Sequence, residues 1–234
     1  MNIFERTVKH CILSALKPAE RRGIQFQMRR KNTPPGVRDD IFKAFPNSFC
    51  PYTHFDVAWR GLEYVNNRNI PGDIVLCGVA TGGMAWFLKK HMGKMRKLWL
   101  YDMFDGGTLP TLADDGLNAV RCGQDAKQKM ATDVAEVRRY VGEGNCEWVI
   151  GDVMLTIPAR APSQIALLYL DTDWYESTAH ELKHLEPLVE RGGVIMQDDM
   201  GLCIGAAKAV REYYGNNLPF MAPMDEVGMS WIKQ

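Results

Sequence analysis

The feature that most constrains the fold is an alternation, from Gly72 onward, of short apolar runs with segments of helical periodicity. This alternation is typical of a parallel sheet whose strands are joined by crossover helices. It therefore predicts an α/β fold with an open, doubly wound and mostly parallel sheet. The predicted strands cover residues 73–79, 97–102, 146–152, 165–171 and 192–199, and most of them end in aspartate.

Helical patterns fill the gaps between the predicted strands, and glycines stand where helix ends are expected. The predicted helices cover residues 83–93, 125–142, 177–192 and 206–217. The sequence of residues 219–234 predicts an edge hairpin that closes the sheet. Residues 1–71 are basic and contain a proline-rich stretch, which favours a helical N-terminal lid or arm ahead of a domain at residues 72–234.

The charge balance argues against a partner with a strong electrostatic field. Lys+Arg and Asp+Glu both number 28, so the basic surface expected of a protein that binds nucleic acid or anionic membranes is missing. No apolar run approaches the roughly 18 residues of a membrane span. A soluble, cytoplasmic enzyme with a small-molecule substrate is predicted, and the scattered cysteines favour free thiols.

The first candidate site is the glycine-rich segment GVATGG, residues 78–83, which follows the first strand. Glycines at such a turn let backbone N–H groups and a helix N-terminus approach a ligand closely. The spacing is not G-x-G-x-x-G, so a dinucleotide is not required, and an ordinary structural turn is the alternative. The cofactor-binding candidates in it are Gly78, Val79, Ala80, Thr81, Gly82 and Gly83.

Two further aspartates end the second and third strands. Asp102 stands about 20 residues after the glycines, where an acid commonly accepts hydrogen bonds from ribose hydroxyls. Asp152 is placed to contact an adenine amino group. The alternative interpretation is a helix or turn cap for Asp102 and an ordinary turn for Asp152.

A third set of acids indicates a metal ion. If the fourth and fifth strands are neighbours, Asp171, Asp198 and Asp199 converge on one point of the crevice. Carboxylates without a nearby cation repel and raise one another's pKa. Oxygen ligands of this kind suit Mg²⁺, which is therefore the predicted metal.

A competing pattern lies in the next helix, where His180, Glu181 and His184 form the H-E-x-x-H signature of zinc hydrolases. At about 100° per residue the two histidines fall largely away from the apolar side of that helix. The pattern is therefore interpreted as a surface feature, with a zinc hydrolase kept as the alternative function.

Several blocks of the sequence together resemble the macrocin O-methyltransferase family, whose members use S-adenosylmethionine to methylate sugar hydroxyls in antibiotic biosynthesis. The blocks are PGDIVLCGVATGG, LWLYDMFDGGTLP, IALLYLDTDWYEST, GGVIMQDDMG, AAKAVREYY and DEVGMSWIK. The resemblance implies a Rossmann-like class I methyltransferase with a helical lid. It also implies S-adenosylmethionine and Mg²⁺ as cofactors, a small-molecule acceptor and a homo-oligomer.

Methyl transfer to an oxygen needs an activated hydroxyl, and this requirement predicts a mechanism. A hydroxyl with a neighbouring oxygen, on a sugar or a phenol, would be activated by Mg²⁺, and Asp171 or Asp173 would accept its proton. Trp174 stands where catechol-type enzymes carry a lysine. His54 and His180 are other candidate bases, each with a surface histidine as the alternative.

The chain departs from the family pattern E-T-G-V-W-R-G-G, because Leu76 replaces the acid and Ala80-Thr81 replace the aromatic-basic pair. A relative that binds the donor without using it is therefore a further alternative.

Overall fold

The computed structural model describes residues 33–114 and 130–234. Its helices are α1 (Pro35–Ala44), α2 (Tyr52–Asn67), α3 (Gly83–His91), α4 (Val134–Val141), α5 (Val153–Ala159), α6 (Tyr175–Leu185) and α7 (Ile204–Tyr214). Its strands are β1 (Asp73–Cys77), β2 (Leu98–Asp102), β3 (Cys146–Ile150), β4 (Ile165–Leu170), β5 (Val189–Gln197), β6 (Ala222–Pro223) and β7 (Met229–Ile232).

The strands of the described residues form a seven-stranded sheet in the order β3-β2-β1-β4-β5-β7-β6. Strands β1 to β5 are parallel, whereas β7 runs antiparallel to β5 and carries β6 as a hairpin. The predicted mostly parallel sheet and its closing hairpin are confirmed. The chain winds outward in both directions from β1 and β4, and ligands of such sheets bind at the carboxyl ends of the strands beside this switch point.

Burial of both sheet faces explains the apolar runs. Every residue of β4 is buried, as expected for a central parallel strand covered on both sides. On one face, residues of α1, α2 and α3 share a core with β1 and β4. On the other face, α5, α6 and α7 pack on the same strands through side chains such as Leu182 and Val210.

The segment ahead of β1 belongs to this packing. Helix α2 buries Phe55, Ala58, Leu62 and Val65 in the core that it shares with the sheet. The rest of the predicted lid, residues 1–32, lies outside the described residues, so the division at residue 71 stays a prediction. No helix within the described ranges is long and apolar enough to cross a membrane.

Two details of the helix prediction were wrong. The helix predicted for residues 177–192 ends at Leu185, because Pro187 lacks an N–H and a 3₁₀ turn leads directly into β5. Helix α5 was not predicted, since it contains Pro158 and is short. The helix predicted for residues 125–142 is described only from Met130 and is helical from Val134 to Val141.

Candidate active site

A cavity of about 330 Å³ lies at the carboxyl ends of the central strands. Its volume falls in the range of small-molecule sites, about 300–1,000 Å³. The sequence-predicted residues that line it are Gly78, Val79, Ala80, Asp102, Asp152, Asp171, Asp173, Asp198 and Asp199. The other three, Thr81, Gly82 and Gly83, are not among the described residues that line the cavity.

The glycine-rich segment is held by the carboxylate of Asp102. Oδ2 of Asp102 accepts hydrogen bonds from the backbone N–H groups of Val79, at 2.7 Å, and Ala80, at 2.8 Å. Oδ1 accepts a third, from the N–H of Phe104 at 2.6 Å. The acid that was predicted to bind ribose therefore also fixes the loop against which a donor would lie.

Glycine is required at two positions of this segment for different reasons. Gly78 has a φ of +89°, and a Cβ there would overlap the carbonyl oxygen of Asp171. A Cβ on Gly83 would overlap the backbone carbonyls of Ala44 and Asn47, so Gly83 lets α3 pack against the end of α1. Gly78 therefore shapes the cavity, whereas Gly83 serves the packing beneath it.

Asp152 caps a helix, whereas an ordinary turn was its alternative interpretation. Its Oδ1 accepts from the N–H of Met154 at 2.9 Å, which makes it the N-cap of α5. Because Asp152 also lines the cavity, its cap geometry is compatible with the predicted contact to a base, which stays a prediction.

The cavity also contains a cluster of carboxylates. Strands β4 and β5 are neighbours, with Leu170 paired to Gln197, so Asp171 and Asp198 follow them at the same edge of the sheet. Among the described residues, two groups have ligand atoms within 4.8 Å of one another: Cys50 with Asp171 and Asp198, and Cys203 with Asp173 and Asp199. Asp199 thus lies nearest to Asp173 and Cys203, which the predicted set of three acids did not include.

No lysine or arginine occurs among the described residues that line the cavity, although His54, which is not part of that lining, contacts Asp198. Burial first, and then repulsion by Asp198 and Asp199, raises the pKa of Asp171 well above its usual value. Burial and the neighbouring carboxylates Asp173 and Asp198 raise the pKa of Asp199 to about 9. Asp199 is 4% exposed, and its Oδ2 has no hydrogen-bond partner among the described residues. A divalent cation would relieve both the repulsion and the unpaired oxygen.

His54 is fully buried beneath the carboxylates, so its interpretation as a surface histidine was wrong. Its Nδ1 contacts Oδ1 of Asp198 and lies 3.1 Å from the hydroxyl of Tyr169. Its Nε2 lies 3.0 Å from Oδ2 of Asp225. Burial alone would lower the pKa of His54, but the two carboxylates outweigh it and raise the pKa. No sequence signal pairs these residues, because they come from three distant segments.

The segment after β4 adopts a conformation that few residues favour. Asp173 has a φ of +66°, in the left-handed region, which costs energy in a residue other than glycine. The neighbouring side chains anchor it, because Trp174 Nε1 donates to the carbonyl of Thr108 at 3.0 Å and Thr172 donates to Glu181 at 3.0 Å. Such strain is typical of functional sites whose surroundings fix the backbone.

The H-E-x-x-H pattern does not form a metal centre with other described side chains. Glu181 is fully buried and accepts from Thr172, so it faces the sheet. The rings of His180 and His184 pack with their centroids 4.3 Å apart. Neither histidine belongs to the two metal-capable groups found in the described part of the chain. The geometry therefore gives the zinc hydrolase alternative no support.

Two curated relatives are similar to the chain. The demethyldecarbamoylnovobiocin O-methyltransferase of Streptomyces niveus is 32% identical over 163 residues, which cover 65% of this chain and 62% of the relative. The 8-demethyl-8-(2,3-dimethoxy-alpha-L-rhamnosyl)-tetracenomycin-C 4'-O-methyltransferase of Streptomyces olivaceus is 29% identical over 183 residues, which cover 73% of this chain and 69% of the relative. The chain thus spans less than two thirds of the first relative.

Solved structures agree with these relatives. The O-methyltransferase NovP superposes with a TM-score of 0.73 at 25% identity, over 80% of this chain and 82% of NovP. The methyltransferase PaMTH1 of Podospora anserina, solved with S-adenosylhomocysteine bound, shares the fold with a TM-score of 0.55 at 10% identity, over 100% of this chain and 98% of that one. A family model described as macrocin-O-methyltransferase (TylF) matches residues 54–233. On this match, which covers most of its length, the chain belongs to the macrocin-O-methyltransferase family.

Proposed function

We propose that the chain is an S-adenosylmethionine- and divalent-metal-dependent O-methyltransferase. Its acceptor would be a hydroxyl of a small molecule, a sugar or phenolic natural product with neighbouring oxygens. The observation that carries the proposal is that one cavity joins the loop held by Asp102 to the carboxylate cluster. A methyl donor and an activated hydroxyl would meet between them.

The donor would lie over the backbone of Gly78, Val79 and Ala80, and it would supply a methyl group on a sulfonium. The two oxygens of Asp102 accept three backbone hydrogen bonds, so about one of the four lone pairs remains to accept a ribose hydroxyl. Leu76 is fully buried in β1 and offers no carboxylate to the ammonium of the donor. Another group must therefore neutralise that charge.

The metal would be held by Asp171, Asp198 and Asp199. Their carboxylates fit a hard divalent cation such as Mg²⁺, which prefers oxygen ligands and keeps open positions for a substrate. Burial of Asp171 and its repulsion by Asp198 and Asp199 support this assignment. When bound, such an ion lowers the pKa of a coordinated hydroxyl and fixes its direction.

Asp173 and Asp171 are the candidate acceptors of the hydroxyl proton. Burial raises the pKa of Asp173, which makes its carboxylate a better base. Asp173 is the first choice, because Asp171 would already be engaged as a ligand. The turn ahead of α2, through Ser48 and Pro51, lines one side of the cavity and would limit its access to water.

The proposal is tested by Asp198→Asn and, separately, by removal of metal with EDTA. We expect both to abolish methyl transfer from labelled donor to a panel of vicinal diols and catechols, while binding of S-adenosylhomocysteine is retained. Asp133→Asn is the matched control, since Asp133 caps α4 outside the cavity. Full turnover without a divalent cation would reject the metal, and donor binding without turnover on any acceptor would favour a non-catalytic relative. The cytoplasmic location and the oligomeric state stay predictions.

A further inference from the structure

Cys203 lies beside the carboxylate cluster but has no role in the proposed reaction. It is the residue before the first turn of α7, in the loop that follows β5. Its sulfur and one carboxylate oxygen each of Asp173 and Asp199 lie within 4.8 Å of one another. One thiol and two carboxylates therefore face a common point.

A second observation indicates that this point can hold a ligand. Asp199 is 4% exposed, yet its Oδ2 has no hydrogen-bond partner among the described residues. A buried acceptor without a partner is costly, and an ion or an ordered water usually accounts for it. No lysine or arginine occurs among the described residues that line the cavity beside this point.

The chemistry of the three ligands differs from that of the proposed magnesium site. Thiolate sulfur is a soft ligand that favours zinc and metals like it, whereas Mg²⁺ takes oxygen almost exclusively. Two carboxylates and a thiolate would supply three protein ligands, the number found in many catalytic zinc sites. The group is thus better suited to a thiophilic ion than to Mg²⁺.

We propose that Asp173, Asp199 and Cys203 form a second cation site that binds a thiophilic divalent cation of the zinc and cadmium class. Binding forms a metal–sulfur bond and releases the thiol proton to solvent, with no change of oxidation state. The inhibition that follows from it rests on the proposed function: a cation here would occupy Asp173, the candidate base, and Asp199, a ligand of the proposed magnesium site.

The second thiol of the cavity makes the proposal specific. Cys50 lies with Asp171 and Asp198 in the other group, and its thiol donates to Asp171 at 3.4 Å. Cys50 also lies 3.8 Å from the hydroxyl of Tyr169 and is 5% exposed. Cys203 is the more accessible thiol, being only half-buried. A site at Cys50 is therefore the rival outcome of the test.

The test is a titration of the metal-free protein with Cd²⁺ in the absence of methyl donor, followed by the ultraviolet sulfur-to-cadmium charge-transfer band. We expect the wild type, Cys50→Ser and Cys146→Ser to show the band. Cys203→Ser should lose the band and bind Cd²⁺ at least about tenfold more weakly. Removing a residue that only hydrogen-bonds to a metal ligand already lowers metal affinity by about that factor, and removing a ligand itself should lower it at least as much. Serine also caps helices, so Cys203→Ser should fold.

A band that persists in Cys203→Ser, or one that is lost in Cys50→Ser, would overturn the proposal. With donor, acceptor and saturating Mg²⁺ added, Cd²⁺ should inhibit the wild type but not Cys203→Ser. Equal inhibition of the two proteins would refute the link to the reaction. If the band follows Cys203 in a protein without any methyl transfer, the cation site stands and the proposed function fails.

Discussion

His54 Nε2 lies 3.0 Å from Oδ2 of Asp225, which joins the start of α2 to the turn of the C-terminal hairpin. The other ring nitrogen contacts Asp198. Burial alone would raise the pKa of Asp225. Hydrogen bonds outweigh this effect and lower the pKa to about 2; they come from the backbone of Gly228 and Val227 and from the side chains of Thr53 and His54. Buried ion pairs are weak evidence for stability, so we interpret this chain of contacts as positioning Asp198.

The first prediction concerns this positioning. The contact of Oδ1 of Asp198 with His54 and Tyr169 leaves Oδ2 as the oxygen for a cation. His54→Ala should therefore weaken Mg²⁺ binding by about 10–100-fold, the usual cost of removing the partner of a metal ligand. Isothermal titration calorimetry with Mg²⁺ and Mn²⁺ measures it, and thermal unfolding monitors the fold. Thr53→Val, which removes only the 2.7 Å hydrogen bond to Asp225, is the control. A folded His54→Ala protein with unchanged Mg²⁺ affinity would contradict the positioning role.

The second prediction concerns Asp102. Replacement by alanine leaves the N–H groups of Val79, Ala80 and Phe104 without their acceptor and removes the proposed ribose contact. We expect S-adenosylhomocysteine to bind at least about tenfold more weakly, since a charge-assisted hydrogen bond contributes about 1.5–3 kcal/mol. Asp73→Ala is the control, because Asp73 also accepts two hydrogen bonds but at the start of β1, away from the cavity. Equal donor affinities of the two variants would reject the ribose assignment.

The sheet could be predicted from the sequence because its strands are buried on both faces. A strand such as β4 therefore appears in the sequence as an unbroken apolar run. The aspartate that follows it lies at the edge of the sheet where ligands bind. The convergence of Asp171 and Asp198 followed from the adjacency of β4 and β5. These inferences need only local patterns and the usual winding of parallel sheets.

The parts that were missed depend on contacts between distant segments. His54 meets Asp198 and Asp225 across more than a hundred residues, and its own segment has no motif. Likewise, the proximity of Cys203 to Asp173 results from side-chain directions at two loop ends, which no periodicity encodes. The sequence also does not indicate the left-handed backbone conformation of Asp173, because aspartate is common in many kinds of turn.

The third prediction separates the strain at Asp173 from its chemistry. Asparagine tolerates the left-handed region, so Asp173→Asn should fold normally and bind donor and Mg²⁺. It cannot accept the proton, and kcat should fall by about 10²–10⁴-fold. Asp173→Ala should show the same loss of activity together with a lower stability, by about 1 kcal/mol, because alanine disfavours a φ of +66°. Denaturant unfolding and single-turnover assays measure the two effects. An unchanged kcat in Asp173→Asn would indicate that Asp171, rather than Asp173, accepts the proton.

The last prediction uses the buried carboxyl of Glu181. Burial raises its pKa from 4.5 to about 8, although hydrogen bonds from Thr172 and Cys77 oppose the shift. The folded chain therefore binds this proton more tightly than the unfolded chain. The resulting stabilisation is complete below about pH 4.5 and is lost as the pH rises through about 8.

Glu181→Gln carries no titrating proton at this position. The difference between its free energy of unfolding and that of the wild type should therefore change in favour of the variant as the pH rises from about 5, by up to about 1.4 kcal/mol per pH unit. This difference should become constant above about pH 8. Urea unfolding in the presence of EDTA at several pH values measures this difference without a metal contribution. Glu176→Gln, at an exposed position in the first turn of the same helix, should follow the wild type throughout. Parallel stability curves for wild type and Glu181→Gln would mean that Glu181 is ionised in the folded chain, and Thr172 would then donate to a carboxylate rather than to a neutral acid.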